Sequence, residues 1–200
     1  METILGDVFT WSWFSEPHNY NFNSILVRDP AGNLCIDPVE PTDAAMNELV
    51  RVGVSRILLT NRNHVRAANR IRERTGARCY IHPDDAAYAK KQGASIDGEL
   101  HAGERIGPLE IISVSGKSPG EVALLWPARR CLIVGDAVIG DPPGHLKLLR
   151  ESVMDDPPRL RRSVQKLLTL DFDTILVGDG VSIVGDAKQR LQELVATFTS

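Results

Sequence analysis

The feature that most constrains this chain is a pattern it uses four times: a short apolar run that breaks abruptly into glycine and polar residues. One copy runs from Arg56 to Ala68. It begins with the apolar Ile57, Leu58 and Leu59, continues through Thr60, Asn61, Arg62, Asn63 and His64, and enters a helical pattern at Val65 with Ile71 on the same face. The others are Leu109 to Lys117, Cys131 to Asp136 and Thr174 to Asp179. A buried strand that ends in a polar turn places chemistry at the C-terminal edge of a sheet. Four such ends put the functional residues of this chain in loops.

The remaining elements follow from periodicity and turn chemistry. Val8 to Trp13 alternates apolar and polar and reads as a strand, followed by a polar loop from Ser15 to Asn23. Ser24 to Arg28 and Leu34 to Asp37 are strands joined across Asp29, Pro30, Ala31, Gly32 and Asn33. Thr42 to Val52 is a helix with Thr42 as N-cap and Ala45, Leu49 and Val52 on one face. The spacing predicts further helices from Val65 to Thr75, Pro83 to Gln92, Asp156 to Leu170 and Gly185 to Thr197. Short strands are expected at Arg78 to Ile81, Leu100 to Ile106, Leu109 to Val114, Glu121 to Trp126, Arg130 to Val134 and beyond Thr174. Ala137 to Leu149 is a loop. The order is β-rich, helices, β-rich, helices, with no linker long enough to divide the chain. The expectation is one domain over residues 1–200.

Several functional classes are disfavoured. The net charge is −3 with no basic face, so a nucleic-acid backbone is not an expected partner. No apolar run approaches the ~20 residues of a membrane span, and the N-terminus lacks the apolar core of a signal peptide. Cys35, Cys79 and Cys131 are widely spaced in apolar runs, which argues for reduced, buried thiols and a cytoplasmic location. There is no phosphate-binding loop and no Gly-x-Ser-x-Gly elbow. Trp11, Trp13 and Phe14 read as core or pocket wall, and Arg70, Arg72 and Arg74 as a solvated helix face.

In order, the four polar ends are Thr60-Asn61-Arg62-Asn63-His64-Val65-Arg66, Gly116-Lys117-Ser118-Pro119-Gly120, Gly135-Asp136-Ala137 and Gly178-Asp179-Gly180. Together they resemble the metallo-β-lactamase-fold superfamily. Its motifs are Thr-His-x-His-x-Asp-His, then Gly-His-Ser/Thr-Pro-Gly, then Gly-Asp, then Gly-His-Gly. The opening hairpin, with Asp37 after its second strand, is similar as well. The resemblance implies an α/β fold of αββα type, a sandwich of two mixed sheets flanked by helices. It also implies a pocket at Asn61, Asn63, His64, Val65, Arg66, Lys117, Asp136 and Asp179.

Members of the resembled family use two divalent ions, typically zinc. Carried over by position, the first ion would face Asn61, Asn63 and Lys117, and the second Val65, Arg66 and Asp179, with Asp136 between them. An amide oxygen is a weak zinc ligand, valine is none, and Lys117 and Arg66 are cations. Two added positive charges oppose a divalent ion. The resemblance therefore implies a metal-dependent hydrolase by ancestry, while the residues imply that the dinuclear site is lost and no cofactor is bound. The expected function is a metal-free pseudo-hydrolase acting in binding or interaction with a small molecule or protein. The alternatives are an active hydrolase with one ion on Asp136, Asp179 and His64, and a structural subunit of an oligomer with a vestigial pocket. His64 enters the pocket in the first alternative; otherwise it is a loop histidine bonded to backbone. His18 is a candidate for the pocket rim, His82 for a helix entry, and His101 and His145 for the surface.

Overall fold

The computed structural model describes residues 1–198, which form two compact units, Met1–Leu100 and a second beginning at His101. Each has its own sheet and its own apolar core.

The first unit carries a seven-stranded sheet in chain order: β1 (Glu2–Leu5), β2 (Val8–Ser15), β3 (Tyr20–Val27), β4 (Leu34–Ile36), β5 (Arg56–Leu59), β6 (Arg78–Ile81) and β7 (Gly98–Glu99). Pairing is antiparallel from β1 to β4 and parallel from β4 to β7. The parallel steps need crossovers, supplied by α1 (Asp43–Val52), α2 (Ala68–Thr75) and α3 (Pro83–Lys91). Thr42 caps α1 as expected, its side chain accepting from the Ala45 amide at 3.2 Å. His82 caps α3 ahead of Pro83, its Nδ1 accepting from the Asp84 amide. Met46, Leu49, Ile57, Leu59, Ile71, Cys79 and Ile81 fill the core.

Two expectations fail here. Ser15 to Asn23 is not a loop throughout: β3 begins at Tyr20, and Phe22 pairs with Trp13. The helix expected from Val65 starts at Ala68, because residues 60–67 are tied into a separate polar turn.

The second unit carries a six-stranded sheet of order β13-β12-β11-β10-β9-β8. The strands are β8 (Arg105–Ile106), β9 (Leu109–Ser113), β10 (Val122–Trp126), β11 (Cys131–Val134), β12 (Thr174–Val177) and β13 (Ile183–Val184). Only the β11–β12 step is parallel. Helix α4 (Pro157–Leu167) buries Leu160, Val164 and Leu167 at i, i+4, i+7 spacing. Asp156 caps it, accepting from the Arg159 amide at 2.9 Å. Helix α5 (Ala187–Ala196) buries Ala187, Leu191 and Leu194. Phe172 is fully buried in this core.

Two close backbone approaches brace the loops of this unit. The Gly140 amide donates to the Asp179 carbonyl at 3.0 Å, and the Val181 amide to the Gly140 carbonyl at 2.8 Å. A Cβ on Gly140 would lie 2.0 Å from the Val181 carbonyl oxygen, and one on Gly180, at φ +87°, 2.3 Å from that of Gly140. Gly116, at φ +144°, likewise leaves no room before the Leu160 backbone of α4.

Candidate functional site

In the first unit the polar turn 60–67 leaves the C-terminal end of β5. The parallel β4–β5 register, Ile36 opposite Leu58, brings Asp37 beside Thr60. Asp37 is buried, has φ +49°, and anchors the turn. Its Oδ1 accepts from the Thr60 amide at 2.8 Å and its Oδ2 from the Thr60 hydroxyl at 2.6 Å. The same Oδ2 lies 2.8 Å from His64 Nδ1. His64 is thus bonded to a buried carboxylate, which corrects the expectation of a backbone-bonded loop histidine. With Nδ1–H donated to Asp37, Nε2 is the nitrogen turned away from it.

The rest of the turn is held from several sides. Asn61 is buried, and its Oδ1 accepts from the Asn63 amide at 2.8 Å, a local turn bond. Asn63 is exposed, and Val65 packs against the apolar core. The Arg62 amide donates to buried Asp85 at 2.9 Å, and the Arg62 guanidinium stacks on Tyr88 at 4.6 Å. The Arg66 guanidinium lies 4.4 Å from the centre of the Phe22 ring. Beside it is a cavity of about 250 Å³, lined by Trp13, Phe22, Val39, Glu40, Arg66 and Ala67. His18 stands next to Phe22, bonded through Nδ1 to the Ser15 hydroxyl, but does not line this cavity. Trp11 belongs to the core, donating to the Val39 carbonyl, whereas Trp13 and Phe14 are about half exposed.

In the second unit, Asp136 and Asp179 leave adjacent parallel strands. Val134 is in register with Val177, and the Gly178 amide donates to the Val134 carbonyl at 2.9 Å. Both carboxylates therefore emerge at one edge of the sheet, and both are buried. Lys117 follows β9, its carbonyl accepting from the Asp155 amide just ahead of α4. Its ammonium meets Asp136 Oδ2 at 2.5 Å, and both side chains are nearly buried. This is a charge-assisted contact between a lysine and the one acid that matches the resembled motif outright.

The sequence profile of the metallo-β-lactamase superfamily matches residues 3–198. The chain belongs to the metallo-β-lactamase superfamily. Solved structures agree in fold. A metallo-β-lactamase from Pontibacter korlensis aligns with a TM-score of 0.79 at 15% identity, covering 98% of both chains. The DIM-1 metallo-β-lactamase exposed to ceftazidime aligns with a TM-score of 0.78 at 15% identity, covering 98% of this chain and 95% of that one. TTHA1623 in a di-iron-bound form aligns with a TM-score of 0.67 at 24% identity, covering 90% and 98%. No protein of curated function matches the sequence. Two mixed sheets flanked by helices, as expected, make up the superfamily fold. Membership supports metal-dependent hydrolysis as the broad functional class. Among the described residues no helix is long and apolar enough to cross a membrane.

The ion pair of the superfamily does not fit the residues present. At the first motif the Asn61 oxygen is already used by the turn, Val65 packs inward, and Arg66 stacks on Phe22. At the second motif Lys117 brings its own positive charge to Asp136. A second cation at that carboxylate would oppose the ammonium already there.

The roles of two residues of this architecture are not legible from the motifs. Asp37 enters the resemblance through the opening hairpin, but its bond to His64 depends on the parallel pairing of β4 with β5. Asp85 looks like a first-turn acid of α3, yet its side chain is buried under the turn. The available signal is position: Asp37 directly follows β4, and Asp85 sits in the first turn of the helix that follows β6, the two strands that flank β5.

Proposed function

We propose that this chain is a metal-free member of the superfamily, a pseudo-hydrolase that keeps its scaffold for binding. In this reading the Lys117 ammonium takes over the electrostatic task of the absent ions. The Lys117–Asp136 contact at 2.5 Å, both groups nearly buried, carries the proposal. A buried carboxylate without a cation is costly, and a lysine in contact removes that cost without a metal. The same reading takes residues 1–200 as one domain and Asn61, Asn63, His64, Val65, Arg66, Lys117, Asp136 and Asp179 as positions of one altered site. The order of the four motifs and the profile match across both units support it.

One observation favours a second reading, a single ion on His64, Asp136 and Asp179. A histidine oriented by a carboxylate through Nδ1, as His64 is by Asp37, is the usual preparation of an imidazole ligand. Metal analysis separates the two. Protein purified from zinc-, iron- and manganese-supplemented culture and dialysed is expected to hold far less than one ion per chain. Retention of one ion per chain would favour the second reading and sink the first.

A further inference from the structure

We propose that two copies of this chain pair edge to edge through residues 11–15 of β2, and that the pairing brings the partner's Trp13 to the wall of the first unit's cavity. The inference is independent of whether the superfamily's ions are kept or lost.

Strand lengths expose the edge. β2 and β3 pair over eight residues, from Val8 opposite Val27 to Ser15 opposite Tyr20. On the other side of β2, β1 reaches only to Thr10, which pairs with Glu2. Among the described residues no strand lies beside β2 beyond that point. Five residues, a length of about 17 Å, therefore run on past the end of β1.

Alternation shows which backbone groups this edge presents. The Arg28 amide donates to the Asp7 carbonyl at 2.8 Å, in the same register that joins β2 to β3. Odd-numbered residues of β2 thus turn their backbone toward β3, and even-numbered ones turn it away. Val8 and Thr10 meet β1 in this way. Ser12 and Phe14 carry the same outward N–H and C=O groups past its end. Natural edges are usually guarded by lysine, proline or a bulge. From Val8 to Ser15 there is no charged residue and no proline, and the register with β3 is unbroken. Trp13 and Phe14, on opposite faces, are 49% and 51% exposed.

The occupant that fits is a second copy. Antiparallel pairing about a twofold axis at Trp13 sets Ser12 opposite the partner's Phe14, and Phe14 opposite the partner's Ser12. Both are outward-facing, so their four backbone groups on each copy are matched at once. Trp13 then meets the partner's Trp13 in the close, non-hydrogen-bonded position, with Cα atoms about 4.5 Å apart. No like charges oppose each other, and twofold closure stops the assembly at two. Trp13 and its cross-strand partner Phe22 line the cavity of about 250 Å³, so the partner's indole adds to that wall. Five residues and two half-exposed rings per copy fall short of the ~1,200 Å² of a standard interface, which makes this a reversible pair.

Sedimentation velocity of the full chain from about 5 to about 500 μM, the range in which a weak interface forms and breaks, should show monomer passing to dimer. Ser12→Pro removes an outward N–H that the fold does not use, and is expected to hold the protein monomeric with a near-native melting temperature. Trp13→Lys and Trp13→Glu should each be monomeric, because each sets like charges face to face, and an equimolar mixture of the two should pair again. This exchange at an exposed side chain serves if the proline variant does not fold. A wild type that stays monomeric, open-ended association, a dimer that survives Ser12→Pro, or a mixture that fails to pair would each overturn the proposal.

Discussion

Lys117 and Asp136 are both nearly buried, and stripping either charge of water costs several kcal/mol unless the other is in place. Lys117→Met leaves the carboxylate behind, so the expected loss of stability is about 3–5 kcal/mol. Lys117→Met combined with Asp136→Leu removes both charges, and should recover much of that loss. Urea denaturation midpoints of the wild type, the single variant and the double variant measure it. A single variant as stable as wild type would show that the pair has no structural role. At this scale the sequence was legible where a motif fixed the position. Asp136, and a lysine brought to it by the second motif, follow from residue order alone. The resting place of Arg66 does not, because its partner Phe22 lies in a stretch whose asparagines read as turn residues. The partner of His64 is 27 positions away at Asp37, and only the register of a parallel sheet joins them.

Elements show the same division. Strands with continuous apolar runs, such as β11 and β12, stand where periodicity put them. The start of β3 was missed because Tyr20-Asn21-Phe22-Asn23 contains two turn formers, yet it also alternates, and pairing with β2 prevails. Arg72 was expected on a solvated face but clasps α2 to the neighbouring strand through Asp97. Its Nε and Nη2 donate to Asp97 at 3.0 and 2.8 Å, while Asp97 Oδ2 also accepts from the Cys79 amide on β6 at 2.8 Å. These bonds hold the Asp97 carboxyl at about 2, below its ordinary 3.8. A depressed carboxylate pKa stabilises the fold above the unfolded value and ceases to do so as pH falls through the folded one. The clasp is therefore fully present above about pH 4 and lost toward pH 2. Because the pair is open to solvent, screening keeps its contribution small. The melting temperature of Asp97→Asn should lie below wild type at pH 6, and the gap should close on acidification. A gap independent of pH would show that the Arg72 interaction is not its cause.

Across the whole molecule each sheet carries its own buried thiols, Cys35 and Cys79 in the first unit and Cys131 in the second. Burial raises all three, Cys79 and Cys131 to about 12, so very little thiolate exists at neutral pH. Native protein should resist iodoacetamide at pH 8 for hours, and full denaturation should release three reactive groups. In intermediate denaturant, peptide mass spectrometry should find Cys35 and Cys79 labelled together, since β4 and β6 flank the same strand, β5. Labelling of one without the other would show that this sheet opens strand by strand.

The mutual approach of Gly140 and Gly180 has a consequence for how this protein can change. No side chain can be added at either position without meeting backbone, whereas Asp179 lies between β12 and that contact with its main chain already committed. Substitutions in this loop should therefore be tolerated very unevenly. A saturation library would be expected to return many folded variants at position 179 and almost none at 140 or 180. The loop behaves as a socket whose rim is frozen while its occupant is exchangeable, a route by which a lineage can trade one chemistry for another on an unaltered frame.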